Sequence, residues 1–352
     1  MLLNVNRIRA LSCIAIALFH IGEFINGNYE GVRIDIDLAG PGFHLFLLIS
    51  GFILVYITKP TDNPINCFSK RMIRIIPLYW LMTTIALMVT MIWPWSFRNA
   101  DISIGSVLAS YLFLPHADLS GEVMPILFVG WTLNYMMLFY ALFATTLLLP
   151  ARFQVVGAIV GLSAIMALAS LLPEGSAAAF YADPILTEFA AGCVLGILLR
   201  QPSVIAWIKR TPMWPMAVLG GAGLIFAMLA DADGWLEVAY YIFPASLLLF
   251  ASVGVDLYRT QTKPDVLSNL GLISYGIYLI HPFAILLVGM IVVKLNLPTQ
   301  IAIPVIFAGV SILTLILAHY ARLYVELPSN DWLRKKLVRR ERIERLKMPV
   351  QQ

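Results

Sequence analysis

The sequence predicts an all-α polytopic membrane protein with about ten transmembrane helices and both termini in the cytoplasm. Three observations predict this fold class. Of the 352 residues, 60% are hydrophobic and only 12% are charged, whereas soluble domains are about 25% charged. Several apolar runs reach the length of about 20 residues that crosses a bilayer. Lysine and arginine collect in alternate loops between these runs. The composition excludes a disordered chain, a nucleic-acid-binding basic domain and a typical soluble enzyme.

Ten apolar runs are candidate spans, and proline residues mark the ends of several of them. In chain order the runs cover residues 6–25, 40–58, 75–94, 130–149, 154–173, 184–200, 212–230, 238–256, 270–293 and 301–324. The first run contains His20 and Glu23 and lacks a small-residue cleavage site, so it is predicted to be a retained helix rather than a signal peptide. The run 102–114 has only about 13 residues, a length typical of interfacial or re-entrant segments.

The distribution of charge favours ten spans over eleven. With ten spans, one side of the membrane receives 21 of the 24 basic residues against seven acidic ones, a net charge of +14. The other side receives three basic residues, Arg33, Arg98 and Lys294, against thirteen acidic ones, a net charge of −10. An additional span at 102–114 would move every later loop to the opposite side and destroy this separation. Because basic residues collect on the cytoplasmic side, both termini are predicted to be cytoplasmic.

The chain divides into a membrane domain over residues 1–328 and a basic cytoplasmic tail over residues 329–352. The tail is predicted to contact anionic membrane lipids, and binding of a protein partner is the alternative. The three cysteines and five histidines have no spacing typical of a disulfide framework or a metal site, so no metal is predicted.

Arg9 and His20 form the clearest candidate pair for chemistry. They are eleven residues apart, which places them on one face of the first helix, about 16 Å apart along its axis. A guanidinium at the cytoplasmic mouth suits a phosphate, and an imidazole at depth suits proton transfer near neutral pH. The alternative is an arginine that follows the positive-inside rule and a histidine bonded to a neighbouring helix.

Three more basic residues, Lys70, Arg71 and Arg74, lie at the start of the third predicted span, on the same cytoplasmic side as Arg9. Arg71 and Arg74 are about one helical turn apart. Such a cluster is suited to an anionic ligand from the cytosol, with lipid headgroups as the alternative.

Six ordered motifs resemble those of membrane-bound acyltransferase family 3, most closely its exopolysaccharide O-acetyltransferase branch. The first is Arg9-x10-His20 within NRIRALSCIAIALFH, similar to the Arg/Lys-x10-His signature of the family. The other five are GFHLFLLISGF (42–52), KRMIRIIPLYW (70–80), GWTLNYMMLFYALF (130–143), ISYGIYLIHP (273–282) and YVELPSNDWL (324–333).

The resemblance implies a bacterial inner-membrane enzyme that moves an acyl group, usually acetyl, from cytosolic acyl-coenzyme A to a sugar hydroxyl of an exopolysaccharide or its lipid-linked precursor. It implies that His20 and Arg9 are catalytic and that Arg71, Arg74 and Lys70 bind the coenzyme. Acetyl-coenzyme A is then the donor substrate, with succinyl transfer as the alternative. Its motifs also contain the following candidate substrate-binding or supporting residues: His44, Ser50, Trp131, Asn134, Tyr140, His281 and Glu326.

Two positions depart from the family pattern. Met136 stands where the family usually has a glutamate, and His44 stands where it usually has an aspartate. Methionine cannot carry charge or accept a strong hydrogen bond, so the role of that carboxylate is lost or performed elsewhere. Asn134 and Tyr135 are nearby polar candidates, and His44 is either a second proton-handling group facing His20 or a residue facing the outer water layer.

The preferred mechanism has His20 as general base on the acceptor hydroxyl, which attacks the thioester directly; a covalent acyl-histidine is the variant.

Two other functions stay open from the residues alone. One is a carbohydrate or lipid transporter or flippase. Such proteins are typically built from two repeated halves that contain discontinuous helices. The other is a membrane scaffold that has lost its catalytic carboxylates. The partners expected are acyl-coenzyme A, a carbohydrate acceptor and membrane lipids, without nucleic acid.

Overall fold

The fold is described from a computed structural model over residues 2–34, 37–94, 96–97, 99–173, 175–230, 232–258 and 263–347. Side chains are described as far as residue 337 in the last of these ranges. Arg98 and Arg259, which entered the charge count, lie outside the described residues. So do the last five residues of the predicted tail.

The described chain consists of helices, with one isolated bridge between Ala117 and Val123 as its strand-like pairing. The longer helices are α1 (Leu3–Asn28), α2 (Ala39–Ile57), α3 (Pro64–Ile92), α4 (Ile104–Tyr111), α5 (Trp131–Thr146), α6 (Gln154–Ala169), α7 (Thr187–Leu198), α8 (Pro202–Ile208), α9 (Trp214–Leu229), α10 (Gly234–Tyr258), α11 (Val266–Leu270), α12 (Ser274–Lys294), α13 (Thr299–Ala321) and α14 (Leu327–Lys347). Short 3₁₀ turns cover Phe128–Gly130, Ala151–Phe153, Ala179–Ala182 and Pro184–Leu186, and a π turn at Arg322–Glu326 joins α13 to α14.

The predicted all-α membrane class is confirmed. Among the described residues, eight helices are long and apolar enough to cross a membrane, or nine when the bent pair Pro184–Leu198 and Pro202–Ile208 is counted as one span. The two members of this pair meet at 86°. The apolar helix α9 corresponds to the seventh predicted run, 212–230, but has only 16 residues. The run 102–114 contains only the eight-residue helix α4. The side of the membrane that each terminus faces stays a prediction from the charge distribution.

Helix α3 begins eleven residues before its predicted start at residue 75. The Asn63 side chain accepts hydrogen bonds from the backbone N–H groups of Ile65 and Asn66, and Pro64 occupies the first helical position. This combination is a strong helix start, because the cap satisfies donors that the first turn leaves unpaired and proline has no N–H to lose. Arg71 and Arg74 therefore lie in the second and third turns of a continuous helix rather than at its end.

Helices α2 and α7 run side by side in close backbone contact through glycine. A Cβ atom at Gly51 would lie 2.3 Å from the Phe189 carbonyl oxygen, and one at Gly192 would lie 2.2 Å from the Leu48 carbonyl oxygen. Small residues allow such close helix approach in membranes. The contact brings the first turn of α7, with Glu188, against the first turns of α2, with His44.

Helices α1 and α12 run parallel through the centre of the bundle. Near their starts, Gly271 approaches the backbone of Asn6, and near their ends Gly289 lies against the ring of Phe24. The parallel arrangement places His281 of α12 beside His20 of α1. The bundle thus has an arginine end, where α1 and α3 carry Arg9, Arg71 and Arg74, and a histidine end, about 16 Å farther along α1.

Candidate active site

A basic cavity lies at the arginine end of the bundle. Arg9 of α1 and Arg71 and Arg74 of α3 line it together with side chains from α2, α5 and α12, and the space measures about 540 Å³ including its open part. The Arg71 guanidinium lies 5.8 Å from the centroid of the Tyr140 ring, a cation–π geometry. The three guanidinium groups give the cavity the charge and the planar donors that phosphate groups bind.

The structure separates the predicted coenzyme-binding residues into two groups. Arg71 and Arg74 line the basic cavity with Arg9, as do Ser50 and Tyr140. Lys70 does not line it, because its side chain is exposed on α3. The Ser50 hydroxyl donates to the Phe46 carbonyl oxygen at 2.8 Å.

Glu326 supplies a buried carboxylate next to the basic cavity. The π turn between α13 and α14 carries it, and its side chain interacts electrostatically with Arg74, Arg322 and Arg9. Its Oε1 atom has no hydrogen-bond partner among the described residues. A charge buried in this way is functionally significant by default in a membrane protein, and here it balances part of the positive charge of the cavity.

Met136 also lines the basic cavity and is 5% exposed. The position where the family resemblance leads us to expect a glutamate thus faces the arginines. Because methionine is uncharged, this position does not neutralise any of the three guanidinium groups. The cavity therefore keeps more positive charge for an anionic ligand.

His20 lines a second cavity at the histidine end, together with Phe128, Trp131, Thr132 and Tyr278. Its Nδ1 lies 2.6 Å from Oε2 of Glu23, one turn further along α1. Because an ionised carboxylate can only accept, Nδ1 carries the proton and Nε2 is left as the basic nitrogen. The pair therefore has the geometry of a general base held by an orienting carboxylate.

His281 stacks on His20 from α12. The two ring centroids are 5.3 Å apart and the rings are within 14° of parallel. The Nδ1 atom of His281 donates to the Ile277 carbonyl oxygen at 3.2 Å, and its buried Nε2 has no hydrogen-bond partner among the described residues. His281 thus fixes one face of the His20 ring and presents an unpaired nitrogen close to the candidate base.

Phe46 and Tyr278 lie between the two cavities. Phe46 lines the basic cavity and Tyr278 lines the His20 cavity, and their rings stack with centroids 5.8 Å apart. The Tyr278 hydroxyl is 2.7 Å from the Thr132 hydroxyl and also donates to the Val129 carbonyl oxygen. The walls of the two cavities therefore meet at this pair of stacked rings.

His44 lies in a separate buried cluster and does not line the His20 cavity. Its Nδ1 is 2.8 Å from Oε1 of Glu188, its Nε2 is 3.7 Å from Oε1 of Glu237, and its ring stacks on Tyr241. The ring is 1% exposed, so the outer water layer does not surround it. Of its two predicted positions, facing His20 and facing water, the structure shows neither. The structure instead shows a buried carboxylate partner that is distant in sequence.

The remaining predicted residues divide between the cavities and the core. Trp131 lines the His20 cavity. Asn134 is buried, and neither polar atom of its side chain has a hydrogen-bond partner among the described residues. Tyr135 is also buried, and its hydroxyl donates to the Phe180 carbonyl oxygen at 2.9 Å. In the described part of the chain, no group of three or more His, Cys, Asp or Glu side chains is arranged to hold a metal ion.

Sequence reasoning missed three acidic residues at these sites. The spacing of Glu23 from His20 is a local signal that could have revealed the first of them. Glu188 and Glu237 lie 144 and 193 positions from His44 in the chain, and only helix packing brings them together.

Comparison with known proteins identifies a family and two relatives. A family model described as "Acyltransferase domain" matches residues 2–321. The chain is 32% identical over 289 residues to the "Exopolysaccharide production protein ExoZ" of Rhizobium meliloti (strain 1021), and the aligned region covers 77% of this chain and 82% of the relative. It is 26% identical over 293 residues to the "Putative membrane-bound transacylase BcsY" of Komagataeibacter xylinus, covering 79% of this chain and 71% of the relative. No solved structure matches the chain significantly.

Proposed function

Because the chain belongs to the family defined by this acyltransferase domain, we propose that it transfers an acyl group from acyl-coenzyme A to a sugar hydroxyl. The acceptor is an exopolysaccharide or its lipid-linked precursor, and the donor is acetyl-coenzyme A. The protein lies in the bacterial inner membrane with its arginine end toward the cytosol, in line with the positive-inside rule.

One observation carries this proposal: Arg9 and His20, on one face of α1, line two cavities whose walls meet at the stacked rings of Phe46 and Tyr278. The distance between Arg9 and His20 along α1 is about 16 Å, comparable to the length of an extended pantetheine arm. A donor held by its phosphates at the arginines would therefore have its thioester close to His20.

The proposed reaction uses Nε2 of His20 as the base. Nε2 takes the proton of the acceptor hydroxyl while that oxygen attacks the thioester carbon. The C–S bond then breaks, and the coenzyme thiolate leaves and receives the proton from His20. Glu23 keeps the proton on Nδ1 throughout and stabilises the positive charge that the ring carries between the two transfers.

The first experiment replaces His20 in the full-length protein. We expect His20→Ala to abolish acetyl transfer from acetyl-coenzyme A while the protein remains in the membrane at its normal level. His319→Ala is the matched control, since His319 is exposed and at the arginine end. Transfer by His20→Ala at the rate of the unmodified protein would refute the assignment.

A second experiment tests the donor site separately. We expect Arg71→Gln and Arg74→Gln each to raise the KM for acetyl-coenzyme A by about tenfold, the loss of one charge-assisted contact. Lys70→Gln, on the same helix but exposed, should leave this KM nearly unchanged. Equal effects of all three variants would indicate a general surface charge effect instead of a bound donor.

A further inference from the structure

The His20 cavity adjoins an open groove at the histidine end of the bundle. The two spaces share Met124 and Trp131 in their walls, and the far wall of the groove is formed by Phe180 and Asp183. The groove measures about 840 Å³ including its open part. The groove is therefore next to the cavity of the candidate base, at the end opposite the donor arginines.

Aromatic rings form most of one side of this groove. Tyr135 is buried and stacks on Phe180 with centroids 4.1 Å apart and the planes within 4°, and it meets Trp131 edge-on at 5.8 Å. Interlocked rings of this kind are rigid and lose little conformational entropy when a ligand binds.

Asp183 adds a positioned carboxylate to the aromatic wall. Its Oδ1 accepts from the Ile185 backbone N–H at 2.9 Å, and its Oδ2 lies 3.2 Å from the Tyr135 hydroxyl, which shares its one proton between this oxygen and the Phe180 carbonyl. A carboxylate has about four acceptor positions, so these two bonds fix the group and leave capacity for ligand hydroxyls. The side chain is half-buried at the groove wall.

We propose that this groove binds a neutral sugar residue of the acceptor, adjacent to the residue whose hydroxyl reaches His20. Trp131 and Phe180 pack against the C–H groups of the sugar ring, and Asp183 accepts hydrogen bonds from its hydroxyls. This inference rests on the proposed carbohydrate acceptor and assigns the place where the acceptor chain is recognised.

The charge of the walls favours a polyol over a phosphate. Asp183 lines the groove, while Glu23 and Asp37 line the adjoining His20 cavity. Carboxylates repel the phosphate of a lipid headgroup or of a carrier lipid, whereas sugar hydroxyls can donate to them. The groove is therefore suited to the glycan part of the acceptor.

The test uses exopolysaccharide from a strain that lacks this protein, cut into fragments of one to four sugars. Binding of the fragments to the purified full-length protein is measured by tryptophan fluorescence without donor, and transfer is measured separately with acetyl-coenzyme A. Asp183→Asn removes the charge and keeps a side chain able to cap the turn at Ile185. Phe180→Leu removes the ring. Tyr181→Leu is the matched control, because Tyr181 is a neighbouring aromatic residue that does not line the groove.

We expect fragments of two or more sugars to bind the unmodified protein more tightly than single sugars. Asp183→Asn and Phe180→Leu should each weaken this binding about tenfold, the effect of one hydrogen bond to a charged group or one ring contact. The KM for acetyl-coenzyme A should stay unchanged in both variants, and Tyr181→Leu should bind like the unmodified protein.

The outcomes separate the two proposals. Fragment binding that both variants weaken supports the groove even if no transfer is detected, in which case only the acyltransferase proposal fails. Absence of fragment binding overturns the groove proposal, as does binding that is the same in all variants. A tryptophan fluorescence response to phosphatidylglycerol vesicles but not to fragments would also overturn the groove proposal, since the occupant would then be a lipid headgroup.

Discussion

Replacement of Glu23 by glutamine tests whether His20 acts as a base supported by a carboxylate. Glutamine has nearly the same shape, so the change removes the charge opposite Nδ1 of His20 and keeps the volume. In the proposed reaction the imidazole ring becomes positive only after it takes the acceptor proton. The carboxylate therefore stabilises the transition state more than the resting enzyme, and its loss should lower kcat while the KM for the donor stays unchanged.

The size of the effect follows from the contact between the two side chains. The distance of 2.6 Å between Nδ1 and Oε2 is short even for a hydrogen bond to a charged group, and bonds of this type contribute about 1.5–3 kcal/mol. The Glu23 side chain is 43% exposed, so solvent screening places the contribution near the lower limit. A loss of about 1.4 kcal/mol corresponds to about a tenfold lower kcat.

The assay measures release of the coenzyme thiol by purified protein with saturating donor and a polysaccharide acceptor. Glu30→Gln is the matched control, because Glu30 carries the same charge at the same end of the bundle and is exposed. A Glu23→Gln variant whose kcat stays within about twofold of the unmodified protein would refute the supporting role of Glu23. An equal loss in Glu30→Gln would show that only the overall charge matters.

Three further predictions address other parts of the molecule. Met136→Glu places a carboxylate among the cavity arginines, so the KM for acetyl-coenzyme A should rise severalfold in steady-state kinetics; an unchanged KM would contradict donor binding there. Gly192→Ala forces a Cβ against the Leu48 carbonyl and should lower the unfolding free energy by about 1–3 kcal/mol, visible as a lower Tm in detergent, whereas Gly221→Ala, with open space around it, should not. Burial raises the pKa of Asp183 above its usual range, so the folded protein binds this proton more tightly than the unfolded chain. The contribution of Asp183 to stability therefore grows as the pH falls, while acceptor binding weakens as the carboxylate is neutralised. Fragment binding in mildly acidic buffer should decline for the unmodified protein and stay flat for Asp183→Asn.

Much of the fold could be predicted because it depends on local properties of the chain. A lipid environment requires apolar helices of a set length, so length and composition were enough to locate most of the membrane helices. The short run 102–114 was excluded as a span by the same reasoning. The short helix α8 and its bend against α7 were not predicted, since the residues after 200 read as a loop. The start of α3 was placed too late because its cap lies among polar residues.

The candidate site could be predicted where its residues share one helix. Arg9 and His20 are related by the helical period alone, and the motif resemblance added Arg71 and Arg74. Lys70 shows the limit of this reasoning. It is adjacent to Arg71 in sequence, but successive side chains on a helix point in different directions, and Lys70 is exposed.

The sequence by itself thus determined the membrane class, most helices, the candidate pair on α1 and the family resemblance, since each depends on composition, helical period or motif order. Only the tertiary structure decided which groups meet. It stacked His281 on His20, buried His44 between Glu188 and Glu237, and joined Trp131 to Asp183 in one groove. These contacts join residues far apart in the chain, and they arise from close packing between helices that no local pattern encodes.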